Sequence, residues 1–464
     1  MTQAHELSAV AMLAAFRRKA LSPMEVTREV LKHIGAWEPH LCATYALDPE
    51  AALLQAEASQ ARWLKGEPLG ALDGVPVTIK ENIATRGVPV PLCSAATDLV
   101  PAADDAPPSA RLRESGAVIL GKTTMPDYGM LSSGLSSFHA LARNPWDLSL
   151  NPGGSSAGAG AAAAAGYGPL HLGTDIGGSV RLPASWCGVF TLKPSLGRIP
   201  IDPPFPGRVA GPMTRSVVDS ALMMSVLSRP DVRDSMSLPW QDIAWGELDR
   251  KLKGLRIGLW MDAGWGLPLD AEVRAAVEAA ARAFTEAGAI VTPLAPFISR
   301  EMADGMDRFW RCRSWIDISA LSEERRAKVL PYIVEWARGG AGLSGEKVYT
   351  AFSQMGAIRA ATVAACAPFD YVLSPTAPNL SYPAEWPSPT NDPARALEHI
   401  GFTLPFNMSE QPAASINASY TKSGMPIGLQ IAGQRFDDLG VLQVARAWEQ
   451  MRPAQRPWPQ PPAR

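Results

Sequence analysis

Gly153-Gly-Ser-Ser-Ala-Gly-Ala-Gly-Ala-Ala-Ala-Ala-Ala-Gly-Tyr-Gly-Pro-Leu-His-Leu-Gly-Thr-Asp-Ile-Gly-Gly-Ser179 contains a helix, a strand and two glycine turns in 27 residues. Alanine is the strongest helix former, so Ala157 to Ala165 reads as a helix. Its small side chains let it lie close against a sheet. Leu170-His-Leu-Gly173 is a short apolar run bounded by glycine and proline, the pattern of a buried strand. Gly177 and Gly178 then make a tight turn before another helix. Each turn carries a serine beside its paired glycines, Ser155 in the first and Ser179 in the second.

The same alternation continues outward. Residues 5–65 read as helices, and Ser22-Pro-Met-Glu25 supplies an N-cap, a first-turn proline and a capping-box glutamate. Leu72–Ile79 reads as a strand, 107–115 as a helix and Ala117–Gly121 as a strand. The Ser-, Gly-, Asn- and Pro-rich stretch 123–155 reads as loops, where sites are often built. Further on, Val217–Leu227 and Asp270–Ala287 read as helices, and Leu255–Trp260, Tyr371–Ser374 and Ile427–Ile431 as strands. Residues 300–365 read as helices broken near Gly339–Gly345, and Val441–Met451 as a terminal helix. Strands separated by helices define an α/β chain with a mixed sheet. No linker or repeat divides it, so 1–464 reads as one domain. Within it are a helical cap at about 300–365 and a loose Pro-rich tail at 453–464.

Bulk properties exclude several classes. Of 464 residues, 47% are hydrophobic and 19% charged, as in ordinary globular proteins. A net charge of −2 gives no footprint for nucleic acid or anionic membrane. No run reaches the ~18 apolar residues of a membrane span. Arg17-Arg18-Lys19 follows the short apolar stretch Ala9–Phe16, the reverse of a secretory signal. The five cysteines (Cys42, Cys93, Cys187, Cys312 and Cys366) are widely spaced and form no CxxC pair. The expectation is a reduced cytoplasmic protein without a structural metal or a cofactor.

A serine needs a base to become a nucleophile, and a neutral lysine amine can serve in place of histidine. Lys80 ends the apolar run Gly74-Val-Pro-Val-Thr-Ile-Lys80. An unperturbed lysine is neutral only about once in 2,500 at pH 7. Burial lowers its pKa, provided its neighbour Glu81 faces away. Consecutive N–H groups in the Gly177-Gly178-Ser179 turn form a nest suited to an oxyanion. Arg181 suits a substrate carboxylate or carbonyl, or an ion pair with Asp175. Taken singly, Lys80 also reads as a surface charge, and the two serines as caps.

Together these contexts resemble the amidase signature family. Gly74-Val-Pro-Val-Thr-Ile-Lys80-Glu-Asn, Arg143-Asn-Pro-Trp-Asp147, Pro152-Gly-Gly-Ser-Ser156 and Leu172-Gly-Thr-Asp-Ile-Gly-Gly-Ser179 occur in that family's order. Cys187-Gly-Val, Leu192-Lys-Pro194, Gly211-Pro-Met213, Ser374-Pro-Thr-Ala-Pro378 and Pro426-Ile-Gly-Leu-Gln-Ile431 continue it. The resemblance is densest over about 70–230. Ala157 and Ser195 depart from the commoner glycine and threonine. The resemblance implies a large mixed sheet with helices on both faces and hydrolysis of an amide C–N bond through an acyl-serine. It implies Ser179 as nucleophile, Ser155 as a bridging serine on a cis peptide bond and Lys80 as base. Ile176, Gly177, Gly178 and Ser179 would form the oxyanion hole, and Ser156, Thr174, Asp175 and Arg181 would contact a small amide substrate. It is compatible with a homodimer.

Other readings are set against this one. The glutamine-hydrolysing subunit of tRNA-dependent amidotransferases shares the motifs but works with partner subunits. Gly154-Ser-Ser-Ala-Gly158 fits the G-x-S-x-G elbow with Ser156 as nucleophile and His399 as base, but no strand precedes it. Gly158-Ala-Gly-Ala-Ala-Ala163 loosely fits a dinucleotide fingerprint with the same defect. The substrate is not legible. Met125, Trp310, Trp315, Phe352 and Phe406 suit an apolar pocket or the core equally.

Overall fold

The computed structural model describes residues 3–462. Among them, eleven strands form one sheet. In chain order these are β1 (Thr44–Tyr45), β2 (Pro76–Lys80), β3 (Val118–Thr123), β4 (Leu170–Asp175), β5 (Phe190–Lys193) and β6 (Val209–Thr214). They continue with β7 (Arg256–Trp260), β8 (Ile290–Leu294), β9 (Tyr371–Pro375), β10 (Ala413–Tyr420) and β11 (Pro426–Gly433). The spatial order is β1-β3-β2-β4-β6-β5-β10-β11-β9-β7-β8. Parallel pairs β3/β2/β4 and β9/β7/β8 flank an antiparallel centre, so the sheet is mixed as expected.

Side chains alternate across the sheet. Leu373, Ile416, Leu429 and Ile431 pack with Val277, Val441 and Trp448 from the helices Ala271–Glu286 and Asp438–Met451. The intervening Val372, Ala413 and Ala432 face the other way, toward Trp260, Phe402 and Phe406. Helices therefore cover both faces. No helix among the described residues is long and apolar enough to cross a membrane.

The decisive stretch forms as read. The helix spans Ala157–Ala165 with every residue buried. A Cβ on Gly158 would lie 2.1 Å from the Ala43 carbonyl oxygen and 2.5 Å from the Thr124 nitrogen, so only glycine permits this approach. The capping box at Ser22 is complete. The sequence pattern missed β1, β5, β6, β8 and β10. β6 and β10 are buried and rich in small residues, so no apolar–polar alternation marks them. The helices Pro331–Arg338 and Gly345–Cys366 break at the glycines, as expected, whereas an additional break after Arg300–Ser319, around the short helix Glu323–Arg326, was not read. In the Pro-rich tail, Trp458 packs against Trp146 and beneath the Arg215 guanidinium.

Candidate active site

Strand β2 delivers Lys80 into the interior, where its side chain is fully buried. Three hydroxyls surround the amine: Ser155 Oγ at 2.8 Å, Ser156 Oγ at 3.0 Å and Thr174 Oγ1 at 3.0 Å. Among the described residues no carboxylate lies within ion-pairing distance of it. Burial, reinforced by the positive charge of Arg208, lowers the amine to about 7. Glu81 turns away. Its carboxylate accepts from the Leu92 N–H at 2.9 Å and the Cys93 thiol at 3.4 Å, and burial raises it to about 7.

Hydrogen-bond accounting allows a proton route. A neutral amine has two N–H donors and one lone pair. The Ser156 hydroxyl can donate to the Thr174 carbonyl at 3.2 Å, and Thr174 Oγ1, which accepts from Asn82 Nδ2 at 3.1 Å, can donate to Asn82 Oδ1 at 3.4 Å. Both oxygens are then left to accept from the amine, and the Ser155 hydroxyl is left to donate to its lone pair. Ser155 follows a cis peptide bond from Gly154, as the resemblance implied. Ser156 occupies the N-cap position of the Ala157–Ala165 helix yet makes no cap bond. A serine drawn away from capping marks a site where function overrides local preference.

Strand β4 ends at Asp175, and the turn to Ser179 is held rigidly. Asp175 accepts from the Gly178 N–H at 2.8 Å and the Val180 N–H at 3.1 Å, while Thr403 donates to the Gly177 carbonyl at 2.6 Å. Of the four expected oxyanion donors, Gly178 is therefore committed to Asp175. The N–H groups of Ile176, Gly177 and Ser179 have no protein partner among the described residues. The Ser179 hydroxyl has none either, and it opens onto a pocket shared with Ser155, Thr174 and Asp175.

Arg181 is corrected as a substrate contact. It is fully buried and donates to Asp175, Thr403, Asn407 and Gln430 behind the turn. Ser156 is likewise sealed off beneath Lys80. Burial opposes the charge on Asp175, but the Arg181 guanidinium and its hydrogen bonds overcome that and hold the carboxyl well below its ordinary range. His399 does not serve Ser156. Its Nε2 lies 2.6 Å from Ser132 Oγ, and burial lowers it to about 3. Gly158 faces the Ala43 and Thr124 backbone, which leaves no space for a dinucleotide there.

Two arms meet at Ser179. One is mainly apolar, with Leu131, Trp310, Leu397 and Ile400, and Arg313 lines it as well as the other. The other holds Asn82, Tyr128, Phe205, Arg208, Arg313 and Asp317. Trp310 is the one sequence-nominated aromatic in these linings. Phe406 packs on Trp260, and Phe352 lies near Tyr349 and Arg359 instead. Arg208 and Arg313 were missed, because an arginine in a loop or on a helix carries no local sign of what it faces.

Known proteins are similar to this chain along nearly its whole length. The family model described as Amidase matches residues 25–442. An acylamidase of Rhodococcus erythropolis is 33% identical over 97% of this chain and 96% of its own length. A glutamyl-tRNA(Gln) amidotransferase subunit of Heliobacterium modesticaldum is 32% identical over 93% and 94%. Among solved structures, a bacterial aryl acylamidase of the amidase signature enzymes superposes with a TM-score of 0.90 and 29% identity over 97% of each chain. A 6-aminohexanoate cyclic dimer hydrolase with bound substrate gives 0.87 and 26% over 99% of each.

Proposed function

The chain belongs to the amidase signature family, and from that premise we propose the roles by which its residues hydrolyse a linear carboxylic amide. Lys80, neutral near pH 7, takes the Ser155 proton, and Ser155 takes that of Ser179. The Ser179 oxygen bonds to the amide carbonyl carbon, and the N–H groups of Ile176, Gly177 and Ser179 stabilise the resulting oxyanion. The C–N bond breaks as the relay returns a proton to the leaving nitrogen. Water then attacks the acyl-serine by the same route and releases the acid. Thr174 and Asn82 hold the amine in position. The reading is carried by one observation: a buried amine without a carboxylate partner, 2.8 Å from Ser155, beside an unpartnered Ser179 hydroxyl.

Ser179→Ala is expected to abolish turnover of a p-nitroanilide panel while the melting temperature stays within about 2 °C. Intact-mass analysis of the wild type should show an acyl adduct, and peptide mapping should place it on the peptide carrying Ser179. Full turnover by the variant refutes the assignment. The glutamine-hydrolysing reading is favoured by the 32% identity to the amidotransferase chain. Hydrolysis of non-glutamine amides by the isolated chain excludes it. Activity confined to glutamine and dependent on partner subunits establishes it.

A further inference from the structure

Arg208 and Arg313 enter the pocket of Ser179 from unrelated segments, the loop before β6 and the helix Arg300–Ser319. Among the described residues neither makes a salt bridge. Arg208 is half-buried, and its one protein hydrogen bond is a long one, from Nη1 to the Pro203 carbonyl at 3.4 Å. Arg313 stacks its guanidinium over the Phe205 ring, 4.8 Å from the centroid. That contact fixes the group without neutralising it. Of the pocket carboxylates, Asp175 is taken by Arg181, and Asp317 is a single exposed charge outside ion-pairing distance of either arginine. Two like charges converge on one space and repel each other, and the exposed Asp202, outside ion-pairing distance, offsets only part of the charge on Arg208. A guanidinium presents a planar fork that matches a carboxylate with two parallel bonds.

We propose that Arg208, assisted by Arg313 at the pocket mouth, recognises a carboxylate on the substrate, so that this enzyme acts on amides carrying an acidic group. The apolar arm beside Trp310 and Ile400 takes the substrate's hydrophobic part. Arg208 is then a specificity determinant that touches substrate away from the scissile bond. The proposal rests on the amidase reading above.

Two matched probe pairs test it: glutaryl against pentanoyl p-nitroanilide, with the charge on the acyl side, and 4-acetamidobenzoate against acetanilide, with the charge on the leaving side. In at least one pair the full-length enzyme should favour the carboxylate in kcat/KM by roughly tenfold to a hundredfold, the range of a hydrogen-bonded charge. Arg208→Gln should bring that ratio toward one, and Arg208→Lys should restore part of it. Arg313→Gln, on an exposed helix face, should lower the ratio severalfold, and added salt should weaken its effect. The proposal is overturned if the neutral member is equal or better in both pairs, or if the preference survives Arg208→Gln and Arg313→Gln. Hydrolysis of none of the four by folded protein refutes the amidase reading itself, and this inference with it.

Discussion

In the proposed mechanism Lys80 can act as a base because water is excluded from it while three hydroxyls remain. Its charge state follows from the groups that face it: Arg208 lowers its pKa beyond the effect of burial, whereas Asp175, Cys93 and Glu81 raise it. For a neutral amide under chemistry-limited conditions, kcat/KM should rise through about pH 7 and level off on the alkaline side, as the ammonium loses its proton. Removing a neighbouring positive charge favours the ammonium, so Arg208→Gln should move this limb to higher pH. Glu81, itself raised to about 7, carries only part of a negative charge over this limb, so Glu81→Gln should move the limb to lower pH by a smaller amount. Each displacement should be on the order of one unit or less. Opposite directions in parallel pH profiles check the assignment, and a limb unmoved in both variants counts against Lys80. The candidate residues themselves were legible, since Lys80, Ser155 and Ser179 each stand in a distinctive local context. Arg181 was misplaced because its two readings, substrate contact and partner of Asp175, differ only in which way the side chain turns.

At the scale of elements, the helix Ala157–Ala165 sets the spacing of the site. It runs so close to the Ala43 and Thr124 backbone that the two serines at its head reach Lys80 on the neighbouring strand. Gly158→Ala would force backbone atoms apart. We expect a loss of about 1–3 kcal/mol, read as a lower urea midpoint, together with a fall in kcat as Ser155 is displaced. The helix was readable because alanine propensity and tertiary packing agree. β6 and β10 were not, because strands buried on both faces and built of small residues are defined by the partners that hydrogen-bond to them.

Across the whole molecule, the buried Asp175–Arg181 pair ties the catalytic turn to distant parts of the chain. Arg181 reaches Thr403, Asn407 and Gln430, so β4, the helix Leu404–Met408 and β11 meet at one guanidinium. Arg181→Met leaves an uncompensated buried carboxylate and should cost about 3–5 kcal/mol. Arg181→Met combined with Asp175→Asn should recover part of that stability but little activity, because an amide has only one acceptor oxygen for the Gly178 and Val180 N–H groups that the carboxylate anchors with two. Urea midpoints and kcat/KM of the three variants check this. Since the Asp175 carboxyl is held below its ordinary 3.8, its contribution is complete at neutral pH and is lost as pH falls below that value.

The chain's own order of residues determined the α/β class, the helix and strand around the two serines, and the residue types on which the proposed lysine-activated acyl transfer rests. Each of these follows from neighbours a few positions apart, through propensity, apolar run length and turn residues. Only the tertiary structure decided that the amine meets Ser155, 75 positions away. It alone showed that the Gly178 N–H is withdrawn from the oxyanion turn, and that two arginines from remote segments share the pocket. Those outcomes depend on contacts between residues far apart in sequence, and on which polar groups find partners after the core closes. Local pattern carries no record of either.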